Sequence, residues 1–228
     1  KATKKWYVGP GWPLGFHAVQ DKLYVACSQN AASSSCLGLL DGVEVEFGPT
    51  APTPSPRRPH QRRLKGLLRL DMKEGTLEVL ANLASDTNLP LNYVNDLDVA
   101  PSGDVYFTSS TERGVLFNAR KGFYDTLHSY LQNLCKGDNT GRLLKYDAAT
   151  GKTTTLLSGL WYANGVALSA DFKDVMVVET NLNRVHRYSL TTGKTEVFVD
   201  KIPAMPDGIS RSADGGFWIG GVVRLSPL

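Results

Sequence analysis

Three oxygen-bearing side chains stand at the same point of three similar stretches of this chain. Asn164 lies near the start of YANGVALSADFKDVMVVET (Tyr162–Thr180), Asn95 holds that place in YVNDLDVAPSGDVYFT (Tyr93–Thr108), and Asp207 holds it in MPDGISRSADGGFWIG (Met205–Gly220). A fourth stretch, WPLGFHAVQDKLYVA (Trp12–Ala26), puts the apolar Leu14 there. Asn and Asp before a strand commonly satisfy local backbone groups in turns. Turn chemistry does not explain a shared repeat position, whereas repeat symmetry carries equivalent strand ends to one axis, where distant side chains converge. No nucleophile or base declares itself by spacing. His17, His60, His128 and His186 form no dyad, and only His128, inside a predicted helix, is retained as a candidate base. The chain has no G-x-S-x-G elbow, no phosphate loop and no aromatic–basic interleaving, so a small-molecule substrate is expected rather than nucleic acid.

The stretches that carry these residues each read as two short strands joined by a turn, and a second hairpin alternates with them. Its three copies are GLLRLDMKEGTLEVL from Gly66, GRLLKYDAATGKTTTLL from Gly141 and NRVHRYSLTTGKTEVFV from Asn183. In each, a glycine (Gly75, Gly151, Gly193) follows eight residues after the first apolar strand residue (Leu67, Leu143, Val185). Glycine supplies the positive φ that such hairpin turns need. Val185 and Arg187, then Thr195, Val197 and Val199, alternate as half-buried strands do. An inner strand pair followed by an outer hairpin makes a four-stranded antiparallel blade of about 40–50 residues, the period of a β-propeller. Asn164 and Asp207 stand one plain blade apart. The interval from Asn95 to Asn164 is longer, with the excess in residues 110–140. There Phe123, Leu127, Tyr130, Leu131 and Leu134 carry the spacing of one amphipathic helix, placed to cover one end of the propeller or simply to pack on it.

The 228 residues are 42% apolar and 21% charged, with a mean hydropathy of -0.20, a composition that suits one core-forming repeat domain over 1–228. Residues 28–63 depart from the repeat. They hold AASSSC, an alternating strand candidate at Val43–Phe47 and five prolines between Pro49 and Pro59, which read together as an inserted Pro-rich segment. The net charge is +3, and the basic residues gather at Lys1–Lys5 and Arg57–Lys65. In so Pro-rich a setting the second cluster reads as a solvated loop before a docking patch. Cys27 and Cys36 are near enough to bridge a loop, leaving Cys135 odd, and free thiols fit equally. No run approaches the roughly 18 apolar residues of a membrane span. Three blades and the start of a fourth leave open edges, which proteins avoid, so the expectation is a piece of a longer propeller.

VNDLDVAPSGDVYFTSS, TGRLLKYDAATGKTTTLLSGL, ANGVALSADFKDVMVVET and MPDGISRSADGGFW resemble the successive signature segments of strictosidine synthase-like proteins. That group includes plant alkaloid synthases and the animal adipocyte plasma membrane-associated protein, and it sits with the paraoxonases and gluconolactonases. The resemblance covers about Pro10–Trp218 apart from the insertion. It implies an all-β, six-bladed propeller of four-stranded antiparallel blades, of which this chain supplies about three and a half, with one inserted helix. It also implies a calcium ion in the central tunnel, held by Asn95, Asn164 and Asp207. Asp96 matches a residue that helps hold a second, structural calcium in paraoxonases. Calcium takes 6–8 hard oxygen ligands at about 2.3–2.6 Å, which amides and carboxylates supply. Gly208 stands where many of these hydrolases have Asn, and the first-blade Glu of other members has no counterpart here.

The activity this implies is calcium-dependent hydrolysis of an ester or lactone. The condensing synthases of the group join an amine to an aldehyde with a last-blade Glu, a position beyond Leu228, and they lack the Asn/Asp set. A third reading is a non-catalytic propeller that uses its insertion and helix for recognition. The resemblance favours the secretory pathway or a luminal, membrane-anchored setting, with any anchor outside the chain.

Overall fold

In this computed structural model the described residues are 5–7, 13–27, 36–40, 43–47, 65–115, 117–118 and 123–224, with side chains described over 15–27, 65–115 and 125–224. Leu14, Phe123 and Cys36 are therefore placed by backbone only. His60 and the basic run 57–64 lie outside the described residues.

The chain begins with β1 (Lys5–Tyr7), β2 (Pro13–Val19), β3 (Lys22–Cys27), β4 (Cys36–Leu40), β5 (Val43–Phe47), β6 (Gly66–Asp71) and β7 (Leu77–Ala81). It continues with β8 (Val94–Val99), β9 (Val105–Ser109), β10 (Phe117–Asn118), β11 (Phe123–Tyr124) and the helix α1 (Thr126–Lys136). Next come β12 (Gly141–Tyr146), β13 (Thr153–Leu160), β14 (Ala163–Leu168) and β15 (Asp174–Glu179). A 3-10 turn (Thr180–Leu182) leads to β16 (Arg184–Ser189), β17 (Thr195–Val199), β18 (Ala204–Arg211) and β19 (Phe217–Arg224). Three antiparallel four-stranded sheets result, β2-β3-β6-β7, β8-β9-β12-β13 and β14-β15-β16-β17, and β18-β19 opens a fourth. These are the first to fourth blades. The alternating VEVEF stretch is β5, which joins β1 and β4 in a separate sheet.

Burial explains which strand goes where. The inner strands β3, β9, β14 and β15 are buried at nearly every position, so both of their faces need apolar residues. The outermost strand of the third blade, β17, is exposed throughout, and β7 of the first is exposed or half-buried except at Ala81. Alternation within a strand then divides its residues between two neighbours. Val105, Phe107 and Leu144 pack with Tyr24, Ala26 and Leu67 of the first blade. Their alternates Tyr106 and Leu143 pack with Val166, Leu168 and Val175 of the third. Ala167, Met176 and Val178 face the fourth blade through Ile209 and Ile219. Each fully buried side chain of this kind stabilises by about 1.5–3 kcal/mol, so inter-blade packing dominates the fold.

The three outer hairpins close alike. Gly75, Gly151 and Gly193 have φ of 73°, 68° and 68°. Their N–H groups donate to the carbonyls of Asp71, Asp147 and Ser189 at 2.7, 2.8 and 2.8 Å. A side chain at those angles would be strained, which is why the turn residue recurs as glycine.

The helix departs from its expected face. It starts after Asp125, whose Oδ1 accepts the His128 N–H at 2.9 Å, and stops at Gly137 with φ 60°. Phe123 precedes it in β11. Ser129 and Asn133 are its buried residues, while Leu127, Leu131 and Leu134 are 65%, 45% and 49% exposed. What it meets is polar and aromatic: Asn181 Nδ2 donates to Asn133 Oδ1 at 3.1 Å, and Tyr130 stacks edge-on against Tyr162 at 5.1 Å. Among the described residues no helix is long and apolar enough to cross a membrane. Cys27 is buried in β3 and Cys135 is exposed on α1.

Candidate functional site

Each innermost strand carries an irregularity at the same point. In β8 the pairing with β9 jumps from Val94–Ser109 to Leu97–Phe107, so Asn95 and Asp96 together oppose Thr108. In β14 it jumps from Ala163–Glu179 to Val166–Val177, leaving Asn164 and Gly165 opposite Val178. In β18 it jumps from Pro206–Gly221 to Ile209–Ile219, leaving Asp207 and Gly208 opposite Gly220. The first blade bulges likewise between Pro13 and Gly15, at Leu14. A bulge inserts one residue, re-aims its side chain and recurs beside functional sites. Leu14, Asn95, Asn164 and Asp207 stand at these bulges, so the four sequence-equivalent positions are equivalent in backbone geometry as well.

The bulged segments also touch one another in succession. A Cβ added to Gly15 would lie 2.7 Å from the Asn95 carbonyl oxygen, and one on Gly165 would lie 2.6 Å from that of Asp207. The Thr108 hydroxyl donates to the Asn164 carbonyl at 2.6 Å, and the Thr180 hydroxyl donates to the Pro206 carbonyl at 2.8 Å. Asn95, Asn164 and Asp207 thus sit on adjacent strands at one end of the blades.

Their side chains are held in a common way. Asn95 Nδ2 donates to Ser110 Oγ at 2.8 Å, and Asn164 Nδ2 donates to Thr180 Oγ1 at 3.1 Å. Among the described residues no hydrogen bond is made to either Oδ1. Asp207 is exposed. Two amide oxygens and one carboxylate with open lone pairs are a donor set that fits a hard cation, with water completing its shell. Among the described residues no group of three or more His, Cys, Asp or Glu side chains could hold a metal ion.

Asp96 is engaged differently. Its Oδ1 accepts the Leu97 N–H at 2.9 Å, and its Oδ2 accepts the Val166 N–H of the next blade at 3.0 Å. Burial pushes its carboxyl up to about 6, outweighing those two bonds, with Asp98 and Asp207 adding repulsion. Asp98 repeats the device one pleat further on, accepting Val99 N–H at 2.8 Å and Leu168 N–H at 2.9 Å. It also meets His17 Nδ1 of the first blade at 3.2 Å. Two carboxylates on alternate residues, Asp96 and Asp98, thus bolt β8 to β14 through backbone N–H groups.

Two residues before Asn95 and Asn164, Tyr93 and Tyr162 form an aromatic cluster with Tyr130. Tyr162 donates its hydroxyl to that of Tyr93 at 2.7 Å, and their rings meet edge-on at 5.7 Å. Tyr162 holds φ of 65°, an uncommon conformation for a bulky residue. The turn it occupies is fixed by Glu179, which is fully buried and accepts Trp161 N–H at 2.8 Å. Burial pushes the Glu179 carboxyl up, but bonds from His186, Arg184 and Trp161 together hold it below the usual range. His186 is thereby committed to Glu179 at 2.6 Å. His128 is exposed on the first turn of α1 with its ring 3.0 Å from Gln132 Nε2, and among the described residues it makes no hydrogen bond to the three bulge residues.

Comparisons with known proteins agree with this architecture. Residues 95–193 match the family described as strictosidine synthase. Over 155 residues the chain is 40% identical to protein STRICTOSIDINE SYNTHASE-LIKE 2 of Arabidopsis thaliana, covering 64% of this chain and 38% of that protein. Over 171 residues it is 33% identical to the adipocyte plasma membrane-associated protein of Homo sapiens, covering 72% and 38%. The chain therefore spans about two-fifths of the length of these relatives. Among solved structures, a calcium-binding regucalcin of Agrobacterium tumefaciens superposes with a TM-score of 0.56 at 20% identity, over 96% of this chain and 73% of that one. A structure described as a putative gluconolactonase gives 0.53 at 18% identity, over 96% and 76%. At such identities these two carry the fold alone: four-stranded blades matching part of a six-bladed propeller.

Proposed function

From the match of residues 95–193 to the strictosidine synthase family and the similarity to its relatives, we propose that the chain is part of a propeller hydrolase of esters or lactones that holds calcium through Asn95, Asn164 and Asp207. One observation carries the reading. The bulged inner strands set these three oxygen donors at equivalent points of adjacent blades, with both amide N–H groups turned away onto hydroxyls. A bound calcium ion supplies a Lewis acid that polarises a substrate carbonyl and stabilises the oxyanion formed on hydrolysis. The protein's part is to present oxygens rather than N–H groups to the ion, and to keep the ring of strand ends rigid. The Asp96 and Asp98 bolts supply that rigidity by tying β8 to β14. Leu14, the apolar fourth, contributes no ligand. Gly208 adds none either.

Hydrolysis of an aryl acetate and of an aliphatic lactone, each assayed before and after chelation, tests the reading. Turnover that disappears with the chelator and returns with added calcium supports it. Full turnover in the chelator sinks it. Metal binding without turnover on either substrate would instead favour a non-catalytic binding propeller, and condensation of tryptamine with an aldehyde would favour the synthase chemistry.

A further inference from the structure

A carboxamide has two ends of nearly equal size and opposite polarity, and only its oxygen can ligate a cation. An Asn at a metal site therefore needs something that distinguishes the ends. We propose that Ser110 and Thr180 are positioning residues that fix the amides of Asn95 and Asn164 with their oxygens free for the ion. This rests on the calcium-site reading above and concerns how that site is organised.

Thr180 gives the clearest argument. It is buried, and its single hydroxyl proton is donated to the Pro206 carbonyl at 2.8 Å. Its oxygen can then only accept, so the end of Asn164 that lies 3.1 Å away is the N–H end. The polarity of the amide is dictated by a bond made to a different blade, immediately before Asp207. Ser110 occupies the same place relative to Asn95, is fully buried, and accepts its Nδ2 at 2.8 Å.

The fourth blade offers a comparison. Strand pairing aligns Gly221 with Ser109 and Glu179, so the next residue along is Val222, which falls at a further register shift in β19 and is exposed where Ser110 and Thr180 are buried. This blade carries the one candidate ligand that is a carboxylate. Asp207 has no N–H end, both of its oxygens can ligate, and nothing needs to orient it. A buried hydroxyl thus accompanies the amide in the second and third blades, and none accompanies Asp207 in the fourth.

Terbium luminescence, read as the ion is titrated into the chain, tests this without using turnover. Thr180→Val should weaken terbium binding by about 10–100-fold, the usual cost of removing a residue that orients a ligand. Thr180→Ser should bind within about 2-fold of the native chain, on the same scale. Placed in an Asn164→Asp background, Thr180→Val should cost less than about 3-fold, because a carboxylate needs no orientation; the difference between the two costs is the coupling. Ser110→Ala against Ser110→Thr repeats the comparison at Asn95 and serves if Thr180→Val does not fold. Native chain that binds terbium, with both hydroxyl-deleted variants binding equally well, overturns the positioning role and leaves the site reading standing. An equal loss in the Asn and Asp backgrounds overturns it too, since it shows a structural role. Native chain that binds no terbium removes the site reading and this inference together.

Discussion

The hydroxyl of Tyr162 donates to the hydroxyl of Tyr93 at 2.7 Å, joining two blades through the residues that stand two positions before Asn164 and Asn95. The bond is buried and directional, so the two phenylalanine variants should differ. Tyr162→Phe removes one hydrogen bond, at about 1 kcal/mol. Tyr93→Phe leaves the Tyr162 O–H buried with no acceptor, at about 1–3 kcal/mol. Urea unfolding should therefore place the midpoint of Tyr93→Phe below that of Tyr162→Phe. The opposite order would show that the donor and acceptor are reversed.

Alkaline titration reads the same pair. Burial pushes the Tyr93 phenol up to about 12 and raises Tyr162 further in the same direction. A folded-state pKa above the ordinary 10.0 contributes stability that is complete below pH 10 and is lost as pH rises toward 12. Phenolate absorbance should accordingly show at least two tyrosines ionising only with unfolding.

Asp96 sets a pH dependence at the other end of the scale. Burial lifts its carboxyl from an ordinary 3.8 to about 6. Its contribution is complete below about pH 4 and is lost as pH rises through about 6, because the charged form is the one burial disfavours. Asp96→Asn should remove that slope. The quantity to compare is the change in urea midpoint between pH 4 and pH 7, which should be flatter in the variant; an unchanged slope would assign the titration elsewhere.

Two glycines at equivalent bulge positions should respond in opposite ways. A Cβ on Gly165 would sit 2.6 Å from both the Asp207 carbonyl oxygen and the Ile209 nitrogen, backbone atoms that cannot step aside. Gly165→Ala should separate β14 from β18, costing about 1–3 kcal/mol and weakening calcium binding. A Cβ on Gly208 meets nothing within 4 Å. Gly208→Asn should fold normally and bind calcium roughly 10-fold more tightly through an added oxygen donor, as seen by calorimetric titration.

Much of this arrangement could be read from residue types. The hairpins were legible because a positive φ admits few residues but glycine, so Gly75, Gly151 and Gly193 mark three turns outright. The shared position of Asn95, Asn164 and Asp207 was legible because repeats align without any structure. The bulges were not, since a one-residue insertion in a strand leaves no trace in composition. Nor were the inter-blade bonds of Asp96 and Asp98, whose partners Val166 and Leu168 contribute backbone N–H groups that every residue carries. The helix misled for a different reason. The leucine spacing located an amphipathic helix, but the surface it rests on presents Tyr162 and Asn181, so Tyr130 and Asn133 dock while Leu127, Leu131 and Leu134 face out.

Calcium titrated calorimetrically into the chelator-treated chain tests the central claim most directly. The account predicts one ion bound per chain, with affinity reduced at least about 10-fold by Asn164→Ala, a change that removes one oxygen ligand. Absence of any binding heat, or identical affinity in Asn164→Ala, would contradict it.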